Sequence, residues 1–248
     1  MEIDQHDAEG VRTLVFTTTS PGNAVGLGDL ATLLDALAGA ARDDGVDAVV
    51  LAGPDRAFCA GATEGLLADL ATERGRARLA AHVVPHMRER QDLPALIVTA
   101  VTGSAIGVGL NLALAGDVRV MSRRARLLPG FARLGLPPEY DLPWDLVVSA
   151  GTALATEILL SPRPLGADRC LALGLVNEIC EPSAVVPTAQ MLARSLVKGI
   201  PSRQMHETLR LTRRAAEVGR DRSFDACVAA MFASLATRIP QQTLVPEG

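Results

Sequence analysis

The sequence predicts a parallel α/β fold. Three short runs rich in Val, Ile, Leu and Ala, at Ala48–Ala52, Leu96–Val101 and Val118–Ser122, have the length and composition of buried strands. Helical spacing separates them, and a glycine-rich or small-residue turn follows the first two. Parallel sheets built this way place their ligands in the loops at strand ends. With 248 residues, 48% of them hydrophobic, the chain can bury one large core and carry a short appendage.

In chain order, residues 11–19 are rich in Val, Phe and Thr and read as a strand, closed by Ser20, Pro21 and Gly22. Residues 27–42 carry Leu30, Leu33, Leu34 and Leu37 at helical spacing, and Gly45 ends that helix before Ala48–Ala52. This is a β-α-β unit, which implies a right-handed crossover onto a parallel neighbour. A loop over 53–65 comes next, then a long helical region over 66–90 that Pro85 must kink or break. Pro94 leads into the strand Leu96–Val101, the turn 103–109 feeds an apolar helix to about Ala115, and Val118–Ser122 is the following strand. Past Leu146 the pattern becomes helical, with 165–173 leading into the apolar run 175–179. Residues 181–187 read as a boundary, and 188–238 as amphipathic helices with basic faces formed by Arg203, Arg210, Arg213, Arg214, Arg220 and Arg222.

Composition excludes several classes of function. The formal net charge of −4 comes with no polybasic run, so nucleic acid and anionic membrane surfaces are not expected partners. The four cysteines show no CxxC spacing and no clustering with the four histidines, which argues against a metal site or a disulfide framework and fits a reducing, cytoplasmic setting. The segment MEIDQHDAEG lacks the layout of a secretory signal. Residues 93–116 run without a charge over 24 residues, yet their glycines, threonines, Ser104 and Asn111 fit a strand, turn and helix better than a membrane span.

Two motifs carry chemistry. VVLAGPDRAFCAGATEGL, at 49–66, is a buried strand, a charged turn, and small residues opening a helix. Ala60, Gly61 and Ala62 allow a ligand to approach main-chain N–H groups closely, although a tight connection with no ligand has the same pattern. TAVTGSAIGVGLNLALAGDVRV, at 99–120, repeats the plan, and its GxG lacks the spacing and the later acidic residue of a dinucleotide site.

Together these motifs resemble the crotonase, or enoyl-CoA hydratase/isomerase, superfamily, through Ala57, Phe58, Ala60, Gly61 and Ala62, then Pro94, Gly103, Ala105, Gly107, Gly109, Leu112, Ala113 and Asp117. LSPRPLGADRCLALGLVNEI, at 160–179, is similar to the family's helix and GLVN strand, so the resemblance spans about residues 10–240. It implies a ββα spiral over 1–187 and a C-terminal helical trimerisation region over 188–248, assembled as a homotrimer or a dimer of trimers. It also implies an acyl-CoA thioester as substrate, in the setting of fatty acid metabolism, with no permanently bound cofactor and no metal. By motif position the thioester oxygen would meet the N–H groups of Ala62 and Val108, an oxyanion hole that favours the enolate-like transition state. Ala24, Ala60, Gly61, Thr63, Gly107, Asn111 and Phe131 would line the substrate.

Departures from the family pattern narrow the chemistry. Thr63 stands for the usual Asp and Val108 for the middle glycine of GGG; neither change removes an N–H. Pro21, Asn23, Ala24 and Val25 form a shortened version of an N-terminal segment, without the basic residues that often meet CoA phosphates. The two hydratase glutamates correspond to Asn111 and Phe131, which cannot transfer protons as carboxylates do. In ARLGLPPEYDLPWDL, at 132–146, Glu139 matches the single acid of the family's one-base isomerases, against the plainer reading of a solvated loop carboxylate beside Asp141. His86 sits where the family's 4-chlorobenzoyl-CoA dehalogenases carry a histidine, but Glu139 and Phe131 replace their aspartate and tryptophan. His82 and His206 read as surface or interface residues and Cys59 as a packed thiol. Two readings follow: a 3,2-enoyl-CoA isomerase working through Glu139, or an acyl-CoA binder without turnover, with an atypical hydratase as a further variant.

Overall fold

The computed structural model describes residues 1–54 and 57–218, together with 222, 225 and 227–229. Two sheets organise it. The larger has the order β1 (Glu2–Ala8), β2 (Val11–Thr17), β3 (Ala48–Ala52), β5 (Leu96–Val101), β7 (Val118–Ser122), β10 (Glu178–Cys180), all parallel except the β1–β2 hairpin. The smaller has the order β4 (Ala57–Cys59), β6 (Ser104–Ile106), β8 (Arg126–Leu128), β9 (Leu165–Gly166). Each of β3, β5 and β7 is therefore followed within a few residues by a partner strand in the second sheet. Helices α2 (Glu64–Ala71) and α5 (Val108–Leu114) follow the first two such pairs, giving the ββα spiral expected from the motifs.

Packing explains why these elements persist. α1 (Leu27–Ala41) buries Leu30, Leu33, Leu34 and Leu37 against one face of the large sheet, each worth about 1.5–3 kcal/mol of transfer free energy. Its start is held by the Asp29 carboxylate, which accepts the Gly26 N–H at 2.8 Å. The opposite face is covered by α9 (Val185–Val197), whose Val185, Ala189, Ala193 and Val197 recur every fourth residue and pack on Val50, Val98, Ala100 and Val120. The position 187/188 thus lies within α9, in a helix that packs on the spiral. α10 (Ser202–Val218) is pinned to the sheet by Arg213, which donates to both Asp117 oxygens at 2.7 and 2.6 Å and to the Leu93 and Ala95 carbonyls.

Several expectations are corrected. Residues 2–8 form an edge strand, paired through a Glu9–Gly10 turn with both φ positive, as a type I′ hairpin turn requires. Its polar, mostly exposed sequence has no apolar alternation to announce it. The helical region over 66–90 breaks at Thr72 as well as near Pro85, into α2, α3 (Glu73–His82) and α4 (Val84–Glu89). Thr72 ends the first and caps the second, its hydroxyl accepting the Gly75 N–H at 3.0 Å. Helices α6 (Leu142–Ala150), α7 (Thr152–Leu160) and α8 (Ala167–Ala172) occupy much of 142–172, so helix begins four residues before Leu146, while Leu165–Gly166 is strand β9 and not the start of a helix. Among the basic residues assigned to helix faces, Arg210 pairs with Glu207, Arg213 with Asp117 and Arg214 with Asp92. Arg220 and most of the C-terminal third of the 188–248 region lie outside the described residues. Residues 93–116 fold as β5, β6 and α5, and no helix among the described residues is long and apolar enough to cross a membrane.

Candidate active site

The two motif turns lie side by side because β4 and β6 pair in parallel, Cys59 opposite Ala105. A Cβ on Gly109 would sit 2.2 Å from the Cys59 carbonyl oxygen, and one on Gly61, whose φ is 101°, would sit 2.8 Å from the Ile106 oxygen. Only glycine allows both turns to approach this closely. Cys59 is fully buried, its sulfur accepting the Gly61 N–H at 3.4 Å, and desolvation pushes its thiol up to about 11. It is a packing group, as the sequence suggests.

Ala62 in the first turn and Val108 in the second each carry a main-chain N–H without a partner among the described residues, as does Gly109, the next residue of α5. Val25 bridges the first turn, donating to the Gly61 carbonyl at 2.9 Å and accepting the Thr63 N–H at 3.0 Å. In a parallel bridge of this kind the middle residue, Ala62, turns its own N–H away from Val25. Ala60 is tied down by donation to the Gly22 carbonyl at 2.9 Å, and Thr63 caps α2 by accepting the Leu66 N–H at 3.1 Å. In the second turn Val108 is the first residue of α5, so its N–H precedes the first helical bonds, which run from Leu110 and Asn111 to the Gly107 carbonyl. Gly107 is fixed from the other side by donation to the Leu128 carbonyl at 3.0 Å.

Around these turns, Phe131 is 5% exposed and its ring edge lies 3.9 Å from where a Gly107 Cβ would be. Ala24 accepts the Thr18 hydroxyl at 2.8 Å. Asn111, on α5, is 4% exposed, and its Nδ2 is buried with no hydrogen-bond partner among the described residues. A buried donor left unmade costs about 1–3 kcal/mol.

Glu139 lies on the loop between the short 3-10 turn that begins at Phe131 and α6. It is half-buried, and its carboxylate has no ion pair or hydrogen bond among the described residues; burial alone pushes its pKa above the usual glutamate value. Its neighbour Tyr140 has φ 49° and a phenol raised by burial and by the Glu139 charge. The other candidate carboxylates are differently placed. Asp141 lies 3.6 Å from Arg90, and Glu64 is exposed in the first turn of α2.

A family model described as "Enoyl-CoA hydratase/isomerase" matches residues 7–235. The chain belongs to the enoyl-CoA hydratase/isomerase family. It is 31% identical to a 1,2-epoxyphenylacetyl-CoA isomerase of Escherichia coli over 77% of this chain and 74% of that one. It is 32% identical to 4-chlorobenzoyl coenzyme A dehalogenase-2 of an Arthrobacter species over 78% and 71% of the two chains. Among solved structures, an enoyl-CoA hydratase of Mycobacterium smegmatis superposes with a TM-score of 0.85 at 27% identity, covering 94% of this chain and 90% of the other.

Two further residues have surroundings that bear on the reading of the sequence. His86 Nε2 lies 2.9 Å from the Asp35 carboxylate on α1, and its ring borders a small apolar cavity with Leu34, Leu37 and Met87. Asn23, quoted only as part of a shortened segment, proves central to the first turn. Its Oδ1 accepts the Thr18 N–H at 2.7 Å and its Nδ2 donates to the Phe16 and Phe58 carbonyls at 3.1 and 2.9 Å. Its φ of 59° is a conformation asparagine tolerates better than most residues, the one signal that marked it. A cavity of about 530 Å³ lies elsewhere, at the starts of β5 and β7, between α6, α9 and α10. Its walls include Trp144, Val148, Leu196 and Ile200 and none of the residues assigned to substrate.

Proposed function

We propose that this family member moves the double bond of a 3-enoyl-CoA thioester to the 2 position, with Glu139 as the only acid/base group. The observation that carries this reading is the half-buried Glu139 carboxylate, which has no counter-ion among the described residues and a raised pKa. Such a group is a better base near neutral pH than a solvated carboxylate. The thioester oxygen sits between the N–H groups of Ala62 and Val108. Glu139 removes a proton from C2, and the electron pair moves to that oxygen as an enolate. The new carboxylic acid then returns the proton to C4 as the C2–C3 double bond forms. Each donor to the oxyanion is worth about 2.7–4 kcal/mol in the transition state.

The names of the relatives support the substrate class, since the isomerase, dehalogenase and hydratase all carry CoA in their names. Asn111 and Phe131 at the hydratase positions favour a second reading, an acyl-CoA binder without turnover. The homotrimer and the cytoplasmic setting are part of the same proposal. The deciding assay offers 3-enoyl-CoA and 2-enoyl-CoA to the wild type and to Glu139→Gln. The expected result is isomerisation by the wild type, little hydration, and a loss of at least a hundredfold in the variant with thioester binding kept. No turnover of either thioester establishes the binding reading. Brisk hydration, or a Gln variant as fast as the wild type, removes Glu139 as sole base.

A further inference from the structure

We propose that the cavity of about 530 Å³ at the starts of β5 and β7 binds a medium-chain aliphatic carboxylate, with the head group on Arg119 and the chain along the apolar walls. The volume falls within the range of about 300–1,000 Å³ usual for small-molecule pockets, and the lining has their character, apolar walls with a few charged groups. Leu96, Met205 and Leu209 are buried in those walls, and Trp144 and Val148 are exposed on them. The site is separate from the motif turns. Those turns follow the far ends of β3 and β5, and the six residues of β5 span about 20 Å.

Charge decides the class of ligand. Three arginines and two aspartates are among the described residues that line the cavity. Arg213 is held by both Asp117 oxygens, and Arg90 lies 3.3 Å from Asp145 and 3.6 Å from the more exposed Asp141. Arg119 differs: its Nε and Nη2 both donate to the Leu114 carbonyl, at 3.2 and 2.9 Å, and its Nη1 makes no hydrogen bond among the described residues. No carboxylate among them comes within 4 Å of it, so a partly buried guanidinium, which stays protonated in proteins, has only a neutral partner. A ligand carboxylate supplies the missing charge and accepts from Nη1. An uncharged chain fits the same walls but leaves Arg119 unbalanced, and a cationic one adds repulsion.

Trp144 is the only tryptophan of the chain and lines the cavity, so its emission reads occupancy directly. Octanoate, octanol and octylammonium are titrated into the wild type, Arg119→Gln and Val148→Glu. Val148 is 54% exposed on α6, so its substitution is expected to leave the fold intact while placing a negative charge at the wall. The wild type is expected to show a saturable response to octanoate, at least about tenfold weaker binding of octanol and none of octylammonium, and both variants to lose at least about tenfold in octanoate affinity. If Arg119→Gln does not fold, the ligand series in the wild type and Val148→Glu still decide. Calorimetry with butyryl-CoA is expected to give the same affinity with and without octanoate. Octanol binding as tightly as octanoate, undiminished octanoate affinity in Val148→Glu, or competition between octanoate and butyryl-CoA overturns the inference. So does the absence of any response to octanoate with Trp144 emission set by protein concentration, which assigns the cavity to a second copy of the chain.

Discussion

Glu139 is half-buried with no partner among the described residues, and the sign of its response to pH follows from that. Its folded-state pKa is raised, so the carboxylate needed as base is lost as pH falls through that raised value. The acid limb of kcat/KM for isomerisation is therefore expected above the ordinary glutamate pKa of 4.5, measured as a pH–rate profile. For stability, a raised folded-state pKa gives a contribution present below the unfolded value and lost as pH rises through the folded one. Glu139→Gln, which cannot ionise, is then expected to melt no lower than the wild type at pH 7, any advantage shrinking at pH 4; a variant clearly less stable at pH 7 contradicts this. At this scale the sequence marked Glu139, Ala62 and Val108 through motif position, while Asn23 was inconspicuous because its importance lies in hydrogen bonds to Thr18, Phe16 and Phe58.

Among the elements, the contact between the β4 turn and the start of α5 leaves no room for a side chain. Gly109→Ala forces a methyl onto the Cys59 carbonyl, and overpacking of this kind costs about 1–3 kcal/mol. A lowered Tm together with weakened thioester binding is expected, and an unchanged melt contradicts the close approach. The buried parallel strands β3, β5 and β7 were legible because each is a short apolar run between turn signals. β1 was not, being a polar edge strand, nor were the second-sheet strands β6, β8 and β9, whose two or three residues are fixed by pairing with distant segments rather than by local pattern. Thr72 shows the same limit: a cap within a helical pattern reads as continuous helix until its hydroxyl is seen bonding Gly75.

For the whole molecule, α10 and the sheet are joined by the Arg213–Asp117 pair, 10% and 17% exposed. Breaking such a pair costs about 3–5 kcal/mol, so Arg213→Met is expected to lower the unfolding free energy by an amount near the lower end, measured by urea titration. Exposed Trp144, Val148, Leu196 and Ile200 leave apolar surface beside the large cavity, in keeping with the proposed trimer. Sedimentation at micromolar concentration is expected to give three chains, and a monomer would count against the assembly. The catalytic proposal also spans the molecule, because it requires the Ala62 turn, the Val108 turn and the Glu139 loop to act on one thioester. Its most direct measurement is exchange of the C2 protons of butyryl-CoA in deuterated water, followed by NMR. Exchange by the wild type, slowed at least a hundredfold in Glu139→Gln, is the expected result; no exchange by the wild type, or equal exchange by the variant, would contradict the role of Glu139.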